Sequence, residues 1–208
     1  MRKVAATGGK SREQVRSRGC MRRHLQAIAV TVCAACVLLP LTAGAQQSRP
    51  SEYQVKAVYL FNFSRFVSWP DRTTGGADAP FAICVIGKDP FGTVLDSTLA
   101  GESIGGKAVV ARRVALAEQA AGCRVLFISA SEDGRLKEIL GSLEKSSVLT
   151  VSDIARFSER GGMIQFVLQG GRVRFEVNLA SAAQANLTLS SDLLKVAVAV
   201  RKSQPQGE

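Results

Sequence analysis

The sequence predicts an α/β protein: a single domain with an open, mostly parallel sheet, an antiparallel edge hairpin and helices on both faces. First, short apolar segments such as 81–87 and 123–130 alternate with segments of helical character. Second, residues 81–100 read in order as a strand, a tight loop and a helix. Third, Gly170-Gly171 separates two alternating segments within 163–180, which is typical of a hairpin.

The first helix is expected over 52–69, ended by Pro70 and followed by a loop over 71–80. After the buried strand 81–87, Asp89 can cap a helix over 88–100 that begins at Pro90. The remaining predicted elements are strands at 106–114, 123–130 and 147–152, a short helix or turn at 117–122, a helix at 131–144, the hairpin at 163–180, and a closing helix at 181–200 that Ser190 or Ser191 can interrupt.

Residues 1–45 are predicted to be an N-terminal extension and a cleaved export signal. "MRRHLQ" is a positive segment, "AIAVTVCAACVLLPL" is an apolar run, and "TAGAQQ" supplies a small-x-small site cut between Ala45 and Gln46. A retained anchor and a lipoprotein are the alternatives, and either Met1 or Met21 can be the start. The rest divides into a polar lead-in at 46–51, the domain at 52–200 and a polar tail at 201–208.

The positive charge belongs mostly to the leader. The chain has a formal net charge of +10, but residues 1–45 hold eight Lys or Arg and one Glu, which leaves +3 for residues 46–208. A nucleic-acid binder needs a basic surface on its folded part, so this class loses its support. We expect an exported protein of the periplasm.

The predicted mature chain lacks the usual catalytic side chains. The one histidine of the sequence, His24, lies in the leader, so histidine-based nucleophile activation, acid–base catalysis and metal binding are excluded. Two cysteines remain, Cys84 and Cys123, and an even pair in an exported chain favours a disulfide over a metal site or a catalytic thiol. We therefore predict no enzyme activity, no cofactor and no metal.

The stretch "YLFNFSRFVSWP" concentrates the aromatic residues of the chain. At helical spacing Tyr59, Phe63 and Phe66 form one stripe, with Val55 before it and Trp69 continuing it, and this stripe is expected to cover the sheet. A second interpretation concerns Phe61, which lies off the stripe and could contact a partner protein.

Two further polar sites follow from the predicted strands. In "RVRFEVNL" strand alternation puts Arg172, Arg174, Glu176 and Asn178 on one face, which is either a solvated face or a partner-binding face. Lys88 and Asp89 follow a parallel strand, where ligands of α/β sheets usually bind, so this edge is a candidate ligand site.

The leader, the aromatic helix, "FAICVIGKDPFG" and "RGGMIQFVLQGGRVRFEVNLASAAQANLTLSSDLLKVA" together resemble the YfiR-like periplasmic regulators over about residues 52–200. The resemblance implies a soluble repressor that binds the periplasmic domain of an inner-membrane diguanylate cyclase. Repression would lower cyclic-di-GMP and biofilm formation. An outer-membrane lipoprotein that sequesters the repressor, a homodimer and a link to envelope redox state are also implied.

Cys84 and Cys123 match the spacing of one family disulfide, whereas the second family pair would fall near Ser158 and Gln165, which are not cysteines. Two alternatives to cyclase repression stay open. One is a small-molecule sensor with its ligand near Lys88 and Asp89. The other is a regulator of a different membrane receptor, such as a histidine kinase.

Overall fold

The computed structural model describes residues 50–70, 79–144 and 146–202. The predicted cleavage site at Ala45 and Gln46, most of the 71–80 loop and the end of the polar tail lie outside these residues. The helices are α1 (Glu52–Phe66), α2 (Thr93–Leu99), α3 (Leu136–Ser142), α4 (Leu179–Gln184) and α5 (Ser191–Val196), with 3-10 turns at Ala117–Gly122 and Ala130–Arg135. The strands are β1 (Val67–Ser68), β2 (Phe81–Ile86), β3 (Ser103–Ile104), β4 (Lys107–Val114), β5 (Val125–Ile128), β6 (Leu149–Ser152), β7 (Ile164–Gln169), β8 (Arg172–Asn178), β9 (Thr188–Leu189) and β10 (Ala199–Arg201).

The predicted fold class is confirmed: the main sheet has eight strands in the order β10-β8-β7-β6-β5-β2-β4-β3, and most neighbours are parallel. The β7–β8 hairpin is antiparallel, and its turn residues Gly170 and Gly171 have φ of 58° and 70°, a conformation that glycine adopts without strain. Strand β10 pairs in parallel with β8, so one further strand lies outside the hairpin. A separate two-stranded sheet joins β1 to β9.

Two helix predictions need correction. The helix expected over 88–100 begins only at Thr93, because the Asp89 carboxylate accepts the N–H of Phe91 in a turn and Gly92, at φ 53°, is the N-cap. The closing helix over 181–200 is interrupted at Ser190, as predicted, but its remaining extent is wrong. The chain turns at Asn186 (φ 58°), forms β9, and starts α5 at Ser190, whose hydroxyl accepts the N–H of Leu193 at 3.2 Å.

One side of the sheet, here called the closed face, carries the larger core. Helices α1, α2, α4 and α5 all contribute to it, and it includes side chains from β2, β4, β5, β6, β7 and β8. Its centre is aromatic: the Phe63 ring lies 5.0 Å from that of Phe175 and 5.8 Å from that of Phe166. Ser51 and Gln54 form a capping box that starts α1.

The aromatic stripe of α1 is confirmed only in part. Phe63 is fully buried, and Tyr59 packs partly buried against Phe166 and Phe175. Phe66, by contrast, is 42% exposed. The helix turns a different side towards the sheet, centred on Leu60, so Phe66 faces outward.

The opposite side of the sheet has a smaller core, here called the disulfide core. Cys84 on β2 and Cys123 before β5 form a disulfide, and both cysteines are buried. Helix α3 and the 3-10 turn at Ala117–Gly122 cover this region. Among the described residues, no side chain of β7, β8 or β10 belongs to the disulfide core. The sheet on this side is therefore covered over only part of its width.

Candidate functional site: the open sheet face

The uncovered part of the sheet is formed by the hairpin. Cross-strand register pairs Val167 with Arg174 and Gln169 with Arg172, and directly paired residues point to the same side. These four residues and Glu176, which alternates with them on β8, are here called the open face. Because Val173 and Phe175 between them point into the closed-face core, the open face lies on the other side of the sheet.

Arg172 and Arg174 are exposed and unpaired. Within the described part of the chain, neither guanidinium forms a hydrogen bond or an ion pair. By contrast, Arg113 is held by Asp89 and Asp96. Two residues apart on one strand, Arg172 and Arg174 project in the same direction about 7 Å from each other. The open face thus presents two free positive charges side by side.

A network of polar side chains lies on the same side of the sheet as the open face, at the end of the hairpin far from its turn. The Ser158 N–H donates to Oε1 of Gln165 at 3.0 Å, and the Ser158 hydroxyl lies 3.0 Å from Oε2 of Glu176. The amide of Asn178 donates to the Ser158 carbonyl at 2.8 Å, and its oxygen accepts the N–H of Ser181. The prediction that Asn178 shares the exposed face is therefore wrong, because its fully buried side chain anchors the β6–β7 loop and caps α4.

The same network explains the missing second cysteine pair. Ser158 and Gln165 are both buried and bonded to each other where the resemblance places a second disulfide. This chain thus joins the β6–β7 loop to β7 by hydrogen bonds that do not respond to redox conditions.

An ion cluster lies beside the network at the sheet edge. Glu159 accepts hydrogen bonds from Arg156 at 2.6 Å and from Arg201 of β10 at 2.8 Å. The hydrogen bond from Arg156 lowers the pKa of Glu159. Arg201 also lies 4.0 Å from Glu176. Glu176 is therefore engaged internally, and the uncompensated charge of the open face is that of Arg172 and Arg174.

The other predicted partner contact, Phe61, is partly buried. Its side chain packs against the closed-face core, and the Arg65 guanidinium lies 5.9 Å from its ring. Val58 and Phe66 are the more exposed apolar side chains of α1, at 49% and 42%. Contact of Phe61 with a partner protein stays a prediction, and its side chain is less exposed than the sequence suggested.

Of the two residues at the predicted ligand edge, Lys88 and Asp89, only Asp89 has a side chain engaged in internal contacts. Asp89 accepts the N–H of Phe91 and pairs with Arg113 at 2.9 Å. Lys88 is exposed, and its backbone N–H donates to the Ser131 hydroxyl at 2.9 Å. A ligand here would therefore meet the Lys88 ammonium but a carboxylate that is already neutralised.

Sequence reasoning missed a charged cluster farther along the same edge. Lys56 of α1 is buried and donates to Asp153 at 2.6 Å and to Glu52 at 2.5 Å, and the Tyr53 hydroxyl also donates to Asp153 at 3.0 Å. Burial alone would lower the pKa of Lys56, but the hydrogen bonds that its ammonium donates to the Asp153 and Glu52 carboxylates leave that pKa raised. A cleft of about 380 Å³ opens beside it. The sequence offered one sign of this cluster: Asp153 comes directly after a buried strand.

These features define a class: an α/β domain whose open sheet face presents free charges. Among the described residues no helix is long and apolar enough to cross a bilayer, and no three His, Cys, Asp or Glu side chains could hold a metal ion. The model of the DUF4154 family, described as YfiR/HmsC-like, matches residues 53–198. The chain belongs to this family, as the resemblance predicted.

A fold comparison agrees. A crystal structure of a conserved domain protein from Vibrio cholerae O1 biovar El Tor matches with a TM-score of 0.52 at 11% identity, over 74% of this chain and 62% of that one. The chain thus spans less than two thirds of that protein's length, and the likeness shows the fold alone. At the level of the family, this match supports a regulatory role.

Proposed function

We propose that the chain represses a membrane-bound diguanylate cyclase by binding its periplasmic domain, which lowers cyclic-di-GMP and biofilm formation. It acts as an exported homodimer, and an outer-membrane lipoprotein that binds it relieves the repression. Family membership supports this function. The observation that carries it is the open face, where two free arginines lie on strands without a covering layer.

Binding at the open face disrupts no internal contact. Guanidinium groups that pair with nothing inside the protein need not break internal contacts in order to meet a partner. The closed face beneath them buries Val173, Phe175 and Val177, so the strand that carries the arginines is held in place from the other side. A rigid strand with free charges is suited to binding a protein domain, because little conformational entropy is lost on association.

The test is intracellular cyclic-di-GMP in a strain that lacks this gene. We expect a rise on deletion and a return to the starting level with the full chain. A version without residues 1–45 should not restore it, because the product would stay on the wrong side of the membrane. An unchanged level with a folded, exported protein would contradict cyclase repression and favour another client, such as a histidine kinase.

A second candidate function, small-molecule sensing, is favoured by the cleft beside Lys56. It lies at the carboxyl edge of the parallel strands, where α/β proteins usually bind ligands, and Phe166 and Leu168 give it an apolar wall. Thermal unfolding of the mature chain with amino acids and nucleotides tests it, since a ligand that binds the folded state raises Tm. No rise at millimolar ligand would contradict sensing.

A further inference from the structure

We propose that the open face binds an acidic protein segment in extended conformation, in which carboxylates at alternate positions pair with Arg172 and Arg174. This inference rests on the proposed function, because it names the chemistry of the segment that the client offers. It commits to protein rather than to nucleic acid, since the open face has no aromatic side chain on which bases could stack.

Charge is the first argument. Of the three charged side chains on the open face, Glu176 is engaged by Ser158 and lies 4.0 Å from Arg201, whereas Arg172 and Arg174 have no partner within the described residues. The exposed half of the face therefore carries two uncompensated positive charges. A segment that brings two negative charges satisfies both without displacing any internal pair.

Spacing is the second argument. Residues i and i+2 of an extended segment point to the same side about 7 Å apart, which equals the separation of Arg172 and Arg174 on β8. Each guanidinium can hold one carboxylate through two parallel hydrogen bonds. Val167, half-buried on β7 and directly across from Arg174, supplies an apolar surface beside that charge.

The absence of a covering layer is the third argument. The disulfide core contains no side chain of β7, β8 or β10 among the described residues, so nothing described there stands between the arginines and a flat segment laid on the strands. The β6–β7 loop covers only the far end, where Gln165 is buried. The accessible surface is thus short, extended and basic.

The experiment uses the mature chain, residues 46–208, and three labelled synthetic peptides of nine residues. One alternates Asp with Thr, one alternates Asn with Thr, and one has the composition of the first with its Asp residues placed together. Fluorescence anisotropy at low salt gives the affinities, and amide chemical shifts locate the binding surface. We expect the alternating Asp peptide to bind most tightly, with shifts on β7 and β8.

Matched variants test the two arginines. Arg172→Gln and Arg174→Gln should each weaken binding of the alternating Asp peptide about tenfold, as expected for a lost charge-assisted hydrogen bond. Arg112→Gln is the control, because Arg112 is also an exposed, unpaired arginine of a strand, on β4. Thermal unfolding of each variant shows that it is folded.

Two results would overturn the inference: equal affinity for the alternating and clustered Asp peptides, or the same loss of affinity in Arg112→Gln as in the open-face variants. Failure of the proposed function would give a different set of results. If the exported wild-type chain does not lower cyclic-di-GMP while the alternating peptide still binds at Arg172 and Arg174, the acidic-segment inference stands and the cyclase is not the client. If the Arg172→Gln/Arg174→Gln double variant still represses fully, the client binds elsewhere and the inference is wrong.

Discussion

The two sides of the sheet differ in how completely they are covered. The closed face is packed by four helices, and its core reaches from β4 to β8 with an aromatic centre. The opposite side has the disulfide core over β2 and β5, then a buried polar network around Ser158, then the open face. Cover on this side therefore decreases from the middle of the sheet towards β8.

This difference indicates that the closed face stabilises the fold and that the open face is available for binding. Buried apolar area supplies most of the free energy of folding, so the closed face should dominate stability. The open face buries almost nothing and keeps charges that a fold does not need. Substitutions should therefore lose stability in the order closed face, disulfide core, polar network, open face.

The largest effect is expected for Phe63→Ala. Phe63 is fully buried and contacts the rings of Phe166 and Phe175, so its removal leaves a cavity that should lower the free energy of unfolding by about 3–5 kcal/mol. Phe66→Ala, on the exposed side of the same helix, is the control and should cost under about 1 kcal/mol. Urea unfolding measures both, and equal losses would contradict the assignment of faces.

Removing the disulfide should come next. Cys84 and Cys123 are 39 residues apart, for which the chain-entropy model gives about 4 kcal/mol, and the double substitution to Ala should lose roughly 2–4 kcal/mol in urea. Because both cysteines are buried, a reductant should reach the bond only when the domain opens. Thiol release faster than unfolding would contradict a structural role and support a redox switch.

The polar network should give an intermediate effect. Gln165→Leu leaves the buried N–H of Ser158 without its acceptor, which should cost about 1–3 kcal/mol, while the Ser158 hydroxyl keeps Glu176 as a partner. Gln169→Leu makes the same change on the same strand at an exposed position and should stay within about 0.5 kcal/mol. A loss of stability in Gln169→Leu as large as that in Gln165→Leu would contradict the distinction between the buried polar network and the open face.

The smallest effect on stability is expected at the arginines. Arg172→Gln/Arg174→Gln removes no internal contact, so the free energy of unfolding should change by less than about 0.5 kcal/mol. Thermal and urea unfolding check this. A loss above about 2 kcal/mol would mean that the two side chains serve the fold.

Much of this contrast could be predicted from the sequence. Alternation in "RVRFEVN" placed the arginines on one side and Val173, Phe175 and Val177 on the other, and strand–helix order gave the sheet. Asn178 lies on the predicted side, but alternation does not reveal that it is buried there at the end of the strand and that its side chain caps α4. Phe66 was misplaced because α1 is only weakly amphipathic: Lys56 and Ser64 lie on its buried side and Val58 on its exposed side, so spacing alone could not choose the buried side.

The long closing helix was predicted wrongly for a related reason. Helical propensity over 181–200 is real, but pairing of Thr188 and Leu189 with β1 and of Ala199–Arg201 with β8 overrides it. Such pairings join residues far apart in the chain. The Lys56–Asp153 contact, 97 residues apart, escaped prediction in the same way.

The central claim is that the open face serves a partner and not the fold. Its most direct test is intracellular cyclic-di-GMP in the deletion strain that expresses exported wild-type chain, Arg172→Glu/Arg174→Glu, or Arg112→Glu at equal periplasmic levels and with equal Tm. We predict that wild type and Arg112→Glu lower cyclic-di-GMP and that the open-face variant does not. Full repression by the open-face variant would contradict the claim.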